Sequence, residues 1–150
     1  MTRAELTEEI LAAKRARGLS WAELAERLNA PVEWATAALL GQFPLGETQA
    51  RAATEALGLD EDAMPELTSS PMRGGLEEVV PTDPTIYRFY EIVQVYGPAL
   101  KELIHEEFGD GIMSAINFGF TVRRVPDDKG DRVEITLNGK FLPYEWREEN

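Results

Sequence analysis

The chain has 150 residues, and its composition already excludes several classes of protein. A formal net charge of −12 at pH 7 repels nucleic-acid backbones and anionic membrane surfaces, so proteins that bind either one by charge are disfavoured. The chain contains no cysteine, which excludes disulfides, thiol nucleophiles and thiolate metal ligands.

The first part of the chain, to about Leu59, has the periodicity of short helices. Leu6, Ile10 and Leu11 recur at helical spacing before Gly18, which predicts the end of the first helix. No stretch in the chain approaches the ~20 apolar residues that a membrane-spanning helix needs. We therefore expect a small helical bundle that does not enter a membrane.

Ser20 and Glu23 have the spacing of a capping box and predict the start of a second helix. Pro31 suits the first turn of a third helix, and the fourth covers roughly residues 47–57. Consecutive short helices joined by tight turns are typical of the helix-turn-helix bundle of repressors. The likeness concerns architecture alone.

The helix that begins at Pro31 lacks the side chains that read DNA. It offers Glu33, Thr36 and apolar groups, whereas base edges are read mostly by Arg, Lys, Asn and Gln. Residues 1–60 carry six Lys or Arg against nine Asp or Glu, and so have no basic surface for phosphates. We expect no nucleic-acid partner.

A segment from about Met64 to Pro84 is rich in proline and also contains paired glycines and serines, which favours turning or extended backbone. We interpret it as a linker. It divides the chain into a helical bundle, residues 1–75, and a second domain, residues 76–150.

The second domain begins with a long helix. Asp83 followed by Pro84 is a helix-start signal, and the helical pattern continues either as one helix or as two helices broken at Gly97 and Pro98. Gly109 ends it. Apolar residues on more than one side of this helix indicate burial on two sides.

Two strands follow, over residues 112–125 and 132–142, separated by a turn-rich segment that predicts an antiparallel hairpin. The chain is therefore expected to be α+β. Strict alternation along the first strand places Ser114 on an otherwise apolar face and Asn117 on the opposite one.

Arg88 and Glu91 lie three residues apart on the long helix, close enough to touch. One interpretation is an ion pair at a surface or interface. The other is that Arg88 holds a small planar anion with its fork of donors while Glu91 orients it or moves protons.

Ser114 has two interpretations as well: a hydroxyl that bonds to nearby backbone, or a donor to a bound anion. His105 is the only histidine and has no suitable companions, so we interpret it as structural and predict no metal site. For Asn117 a turn or backbone contact is expected.

Three segments of the chain resemble the cyanase (cyanate hydratase) family. They are DPTIYRFYEIVQVYGPALKELIHEEFGDGIMSAINF, ITLNGKFLPY, and the earlier TAALLGQFPL. The likeness covers nearly the whole chain in the same domain order, which makes it far more specific than a short motif. It implies that Arg88, Glu91 and Ser114 are the catalytic residues.

The resemblance further implies decomposition of cyanate with bicarbonate as co-substrate and no cofactor, giving carbon dioxide and ammonia through carbamate. It implies a cytoplasmic homodecamer built from five dimers, with intertwined second domains and active sites at which residues of several subunits meet. The sequence departs from the family in the hairpin turn, GFTVRRVPDDKGDR, and in its last residues, YEWREEN.

The alternative function is a helix-turn-helix transcriptional regulator whose second domain senses a small anion and dimerises. A further possibility is that the first domain is solely an assembly module, for which its apolar Val32, Trp34, Leu39 and Leu40 are suited.

Overall fold

The computed structural model describes residues 1–74, 76 and 78–145, which form six helices followed by two strands. The predicted α+β class is confirmed. The chain divides into two compact units, Met1–Gly75 and Leu76–Asn150, which are described separately below.

The first unit is a bundle of five short helices. They are α1 (Arg3–Ala16), α2 (Trp21–Arg27), α3 (Val32–Leu39), α4 (Glu47–Leu57) and α5 (Ala63–Thr68). Helix α2 begins with the predicted capping box: Ser20 Oγ accepts from the Glu23 N–H at 3.1 Å, and Glu23 Oε2 accepts from the Ser20 N–H at 2.7 Å. The first four helices lie where the sequence predicted them.

Apolar side chains from all five helices converge on one core. Leucines dominate it, and the largest fully buried side chains are Leu6, Ile10, Leu24, Leu28, Leu39, Leu57 and Leu67. Helices α2 and α3 pack against each other, as a helix-turn-helix pair does.

Helix α5 corrects the predicted linker, which began too early. Pro65 is one of the prolines that predicted turning or extended backbone, but it lies in the first turn of α5, where a proline costs little because those N–H groups have no partner in the helix. Leu67 of the same helix is fully buried, and its carbonyl accepts from the Leu45 N–H at 2.8 Å. The helix is therefore part of the bundle.

The second unit begins with helix α6 (Pro84–Phe108). Asp83 caps it: the carboxylate accepts from the N–H groups of Thr85 and Ile86 at 2.8 and 2.9 Å. Of the two alternatives left by the sequence, one continuous helix is correct, and Pro98 lies inside it.

One face of α6 carries apolar side chains at alternating spacings of three and four, the pattern of a helix that packs along another helix. We call this set the α6 stripe: Ile86, Phe89, Val93, Tyr96, Leu100 and Leu103. Their exposed fractions range from 41% to 64%, and no residue of α6 is buried in the single chain. The expected burial on two sides is thus wrong for the chain by itself.

Two long antiparallel strands, β1 (Gly111–Val125) and β2 (Arg132–Pro143), complete the unit and confirm the predicted hairpin. Their pairing is interrupted once. The ladder resumes at Phe118 opposite Gly139 after ending at Met113 opposite Phe141, so residues 114–117 on β1 face only Lys140 on β2. This bulge turns the β1 backbone out of the regular ladder.

Candidate active site

Arg88 and Glu91 form the contact that their spacing predicted. Nη1 of Arg88 donates to Oε2 of Glu91 at 2.6 Å, and the guanidinium lies over the Tyr87 ring with its Cζ 5.5 Å from the ring centroid. The bond to Glu91 engages one of five guanidinium donors, and the remaining donors are available to an anion.

This pair is exposed in the single chain, with 60% of the Arg88 side chain and 49% of the Glu91 side chain accessible. An exposed pair of this spacing on a helix contributes only about 0.3–0.5 kcal/mol to stability. The small stabilisation of the helix is therefore a weak explanation for the presence of Arg88 and Glu91 at these positions. The described part of the chain therefore gives this pair no buried surrounding.

Ser114 occupies the start of the bulge, so the strict alternation predicted for β1 is wrong there. Its Oγ accepts two backbone hydrogen bonds, from the N–H of Ile116 at 3.1 Å and from the N–H of Asn117 at 2.9 Å. Such a turn takes four residues out of the regular zigzag, so even-numbered positions no longer share a face. Asn117 takes part in this turn through its main-chain N–H, whereas the turn or backbone contact expected of its side chain stays a prediction.

These two bonds determine what the Ser114 hydroxyl can do next. A hydroxyl has one donor and two acceptor lone pairs, and both lone pairs are used here. Within the described part of the chain, no acceptor for its proton is found. Because accepting hydrogen bonds polarises an O–H group, the proton is well suited to an anion.

Ser114 is also the one buried polar or charged residue among those described, with 4% of its surface exposed. The two N–H groups satisfy its oxygen, so its burial leaves only the hydroxyl proton to be paired. Both sequence-based interpretations of this serine are compatible with that geometry, because the backbone bonds prepare the hydroxyl to donate.

His105 connects the end of α6 to the start of β1, in agreement with the structural role expected for it. Its Nε2 lies 3.2 Å from the carbonyl oxygen of Gly111, which accepts a hydrogen bond when that nitrogen carries the proton. Gly111 itself is buried, and a Cβ there would meet the Leu142 carbonyl oxygen at 2.5 Å.

Gly139 on β2 was missed by the sequence analysis, although a signal for it was present. A Cβ at this position would lie 2.4 Å from the carbonyl oxygen of Ser114. An isolated glycine inside a strand pattern, as in ITLNGKFLP, indicates a bulge or a close backbone approach.

The structure brings Arg88 and Glu91 together but does not bring Ser114 to them. At about 1.5 Å per residue, Arg88 lies roughly 25 Å along the α6 axis from His105, where the helix meets β1. No hydrogen bond or ion pair joins Ser114 to Arg88 or Glu91 in the described ranges.

Among the described residues there is no group of three or more His, Cys, Asp or Glu side chains that could hold a metal ion. Within those same residues, no helix has both the length and the hydropathy needed to cross a membrane.

Comparison with known protein families divides the chain as its two units do. Residues 3–71 match the family model described as the N-terminal part of cyanate hydratase, and residues 78–146 match the model described as the cyanate lyase C-terminal domain. The two matches follow one another in the order expected from the sequence.

Individual proteins match over nearly their full lengths. The chain is 62% identical over 146 residues to a cyanate hydratase of Mycolicibacterium vanbaalenii, covering 97% of this chain and 95% of the relative. It is 54% identical to a cyanate hydratase of Methylobacillus flagellatus, covering 96% and 98%. A crystal structure of cyanase from T. urticae superimposes with a TM-score of 0.78 at 38% identity, covering 94% and 99%. The chain belongs to the cyanate hydratase family.

Proposed function

We propose that this chain is a lyase that decomposes cyanate with bicarbonate as the second substrate. The observation that carries the proposal is the identity of 62% to a cyanate hydratase across 97% of the chain. Both units match, so the proposal concerns the whole chain and not a shared fold alone.

In the proposed reaction, a bicarbonate oxygen attacks the cyanate carbon and forms a mixed carbamic-carbonic anhydride. The anhydride loses carbon dioxide and leaves carbamate, which decomposes to ammonia and a second carbon dioxide. Overall, one cyanate, one bicarbonate and two protons give one ammonia and two carbon dioxides. The nucleophile is therefore a substrate, and the protein has to hold two anions together and deliver protons.

Arg88 is proposed to hold the anions. Two unit negative charges 4 Å apart repel each other by about 4 kcal/mol at an effective dielectric of 20, so a reaction between them needs a fixed positive charge. The donors of Arg88 that do not bond to Glu91 match oxygen pairs of small planar anions. A cluster of Arg88 side chains from several copies would increase the effect.

Glu91 is proposed to orient Arg88 and to relay a proton, since it already accepts a bond from the guanidinium at 2.6 Å. Ser114 is proposed to donate its hydroxyl hydrogen bond to a bound anion. Its two acceptor bonds support this role, because they leave donation as the remaining capacity of the hydroxyl.

We further propose that the site forms between copies of the chain, in a homodecamer of five dimers with intertwined second units. Two observations support assembly: the α6 stripe is between 41% and 64% exposed, and Ser114 has no contact with Arg88 or Glu91 within the described chain. A second copy would cover the stripe and add the missing residues to each site. The cytoplasmic location expected from the sequence stays a prediction.

The proposal is tested by measuring ammonia released from cyanate with and without bicarbonate, in buffer freed of dissolved carbon dioxide. We expect release only when bicarbonate is present. Equal turnover without it would refute the mechanism.

Arg88→Ala should lower kcat by about 10³-fold, the cost of removing a charge that stabilises the reacting anions. Lys101→Ala removes another exposed cation from the same helix and serves as the matched control. If Arg88→Ala dissolved the assembly and the remaining activity tracked the assembled fraction, Arg88 would be an interface residue and not the anion holder.

The alternative, a helix-turn-helix regulator that senses an anion, is not favoured. The relatives that match both units are cyanate hydratases, and α3 carries Glu33 and Thr36 where a DNA-reading helix needs basic or amide side chains. A gel-shift assay at physiological salt should therefore show no binding to duplex DNA above background.

A further inference from the structure

Gly139 lies against the backbone of the Ser114 bulge at a distance that only glycine permits. A Cβ built on it would meet the Ser114 carbonyl oxygen at 2.4 Å and Met113 Cγ at 2.5 Å. A carbon atom and a carbonyl oxygen ordinarily lie ~3.3–3.6 Å apart, so the Cβ of any other residue at position 139 would be about 1 Å too close to the Ser114 oxygen.

The glycine is not needed for backbone conformation. Its φ lies outside the range that L side chains rarely adopt, in contrast with Gly109 and Gly130, which have φ of 88° and 117°. Close approach to Ser114 and Met113 is therefore the physical reason for glycine at this position. Gly119 on β1, opposite Asn138, provides the contrast, because a Cβ there would meet nothing within 4 Å.

The contact falls where the bulge rejoins the ladder. Gly139 pairs with Phe118, the first residue after the bulge, and it touches Ser114, the first residue within it. It therefore contacts both ends of the turn in which Ser114 Oγ accepts from the N–H groups of Ile116 and Asn117.

We propose that Gly139 is a positioning residue for the reaction: its missing side chain lets β2 support the Ser114 turn and thereby holds the serine hydroxyl in its anion-donating geometry. This rests on the proposed role of Ser114 as a donor to the bound anion. A methyl group at position 139 would push the Ser114 carbonyl away from β2 and move the hydroxyl with it. Displacements of about 1 Å at a reacting group cost on the order of 10²-fold in rate.

The experiment measures the affinity of the full-length protein for azide, a linear triatomic monoanion like cyanate that offers no carbon to a nucleophile. Isothermal titration is performed on the wild type and on the variants Gly139→Ala, Gly119→Ala, Ser114→Ala and the double variant Ser114→Ala/Gly139→Ala. We expect Ser114→Ala and Gly139→Ala each to weaken azide binding about tenfold or more, as loss of one hydrogen bond to a charged group does. Gly119→Ala should bind as the wild type does.

The double variant separates positioning from general damage to the strand pair. If Gly139 acts through the Ser114 hydroxyl, adding Gly139→Ala to Ser114→Ala should cause no further loss of affinity. The proposal would be overturned if adding Gly139→Ala to Ser114→Ala weakened azide binding as much as Gly139→Ala does in the wild type. An equal loss in Gly119→Ala would overturn it as well.

Met113→Ala guards against a variant that cannot fold, because it removes the side-chain part of the clash at Gly139 and leaves the contact with the Ser114 carbonyl. We expect Met113→Ala/Gly139→Ala to fold, by circular dichroism, and to bind azide as weakly as Gly139→Ala. Affinity restored to that of Met113→Ala alone would mean that the glycine only makes room for methionine. Unfolding of both Gly139 variants would assign Gly139 to stability and equally overturn the proposal.

Failure of this proposal is distinguishable from failure of the proposed function. If Ser114→Ala weakens azide binding while Gly139→Ala behaves like Gly119→Ala, only the positioning role of Gly139 is wrong. If Ser114→Ala binds azide as tightly as the wild type, the proposed role of Ser114 is itself wrong.

Discussion

The two units of this chain use apolar residues in opposite ways. In the first unit, residues such as Leu6, Leu24 and Leu39 are fully buried by their own chain. In the second unit, the α6 stripe is exposed, and no apolar side chain of α6 is buried. The first unit thus completes its own core, whereas the second presents an exposed apolar face that, under the proposed assembly, another copy would cover.

This difference teaches that hydrophobic periodicity predicts what a helix needs to bury but not which chain buries it. Helix α4 and helix α6 both show a helical apolar pattern. The pattern of α4 ends in Ala53 and Leu57, which are buried by the bundle, while that of α6 ends in Leu100 and Leu103, which stay exposed. Stability of the second unit should therefore depend on protein concentration.

Among the substitutions that test the difference between the two units, the largest effect is expected from breaking the α6 stripe. Val93→Asp places a charge in its middle, where burial against another copy would leave the carboxylate unpaired. We expect the assembly to dissociate in sedimentation velocity and the ammonia release to fall by about 10²-fold or more, because the sites would lose residues from other copies.

Gln94→Asp is the control for this variant, since it adds the same carboxylate at the next position, outside the stripe. It should leave both sedimentation and activity unchanged. An intact and active Val93→Asp assembly would show that the stripe is not an interface.

A smaller effect is expected from a cavity in the first unit. Leu39→Ala removes a fully buried side chain and should lower the free energy of unfolding of this unit by about 2–5 kcal/mol. Fluorescence of Trp21 and Trp34 during urea unfolding reports on it, since both pack against the core. The assembly should persist in dilute urea.

Met72→Ala truncates a side chain that is 95% exposed and should have no measurable effect on the same unfolding curve. Equal destabilisation by Leu39→Ala and Met72→Ala would contradict the claim that the first unit has a core of its own.

The smallest effect is expected at the α2 capping box. Ser20→Ala should cost about 1 kcal/mol at neutral pH, because it removes the hydroxyl that accepts from the Glu23 N–H. The backbone N–H and the hydroxyl of Ser20 lower the pKa of the Glu23 carboxyl in the folded state. The ionised Glu23 carboxylate therefore contributes fully to folding stability above the pKa that this group has in the unfolded chain. The contribution is lost as the pH falls through the lower pKa of the folded state.

Urea unfolding of wild type and Ser20→Ala at several acidic pH values measures this dependence. The difference in stability between the two proteins should shrink as the pH decreases. A difference that grows toward acid would contradict the assignment of the Glu23 pKa shift to Ser20.

Local signals predicted much of the fold. Ser20 with Glu23 and Asp83 with Pro84 predicted helix starts because capping chemistry acts within a few residues of sequence. Pro65 contributed to the wrong start of the predicted linker, because a proline can either end a helix or occupy its first turn. Here a helix forms, and its Leu67 is buried in the bundle. Tertiary packing of this segment, which local sequence does not reveal, decides between linker and helix.

The candidate site was predictable only in part. Spacing on one helix sufficed for the contact between Arg88 and Glu91. The Ser114 turn broke the predicted alternation, and it lies against Gly139, a residue that is distant in sequence and has no side chain to signal the contact. Ser114 does not bond to the pair within the described chain, and under the proposed assembly they meet through other copies, about which one sequence carries no spatial information.

Whether the site combines residues of different copies is decided by mixing two inactive variants. Arg88→Ala and Ser114→Ala chains are co-expressed, and the ammonia released from cyanate and bicarbonate is compared with that of each variant alone. We expect the mixed assemblies to regain roughly a quarter of the wild-type activity, since an intact Arg88 and an intact Ser114 from different chains meet in about one pairing of four. A mixture no more active than its components would contradict a site shared between copies.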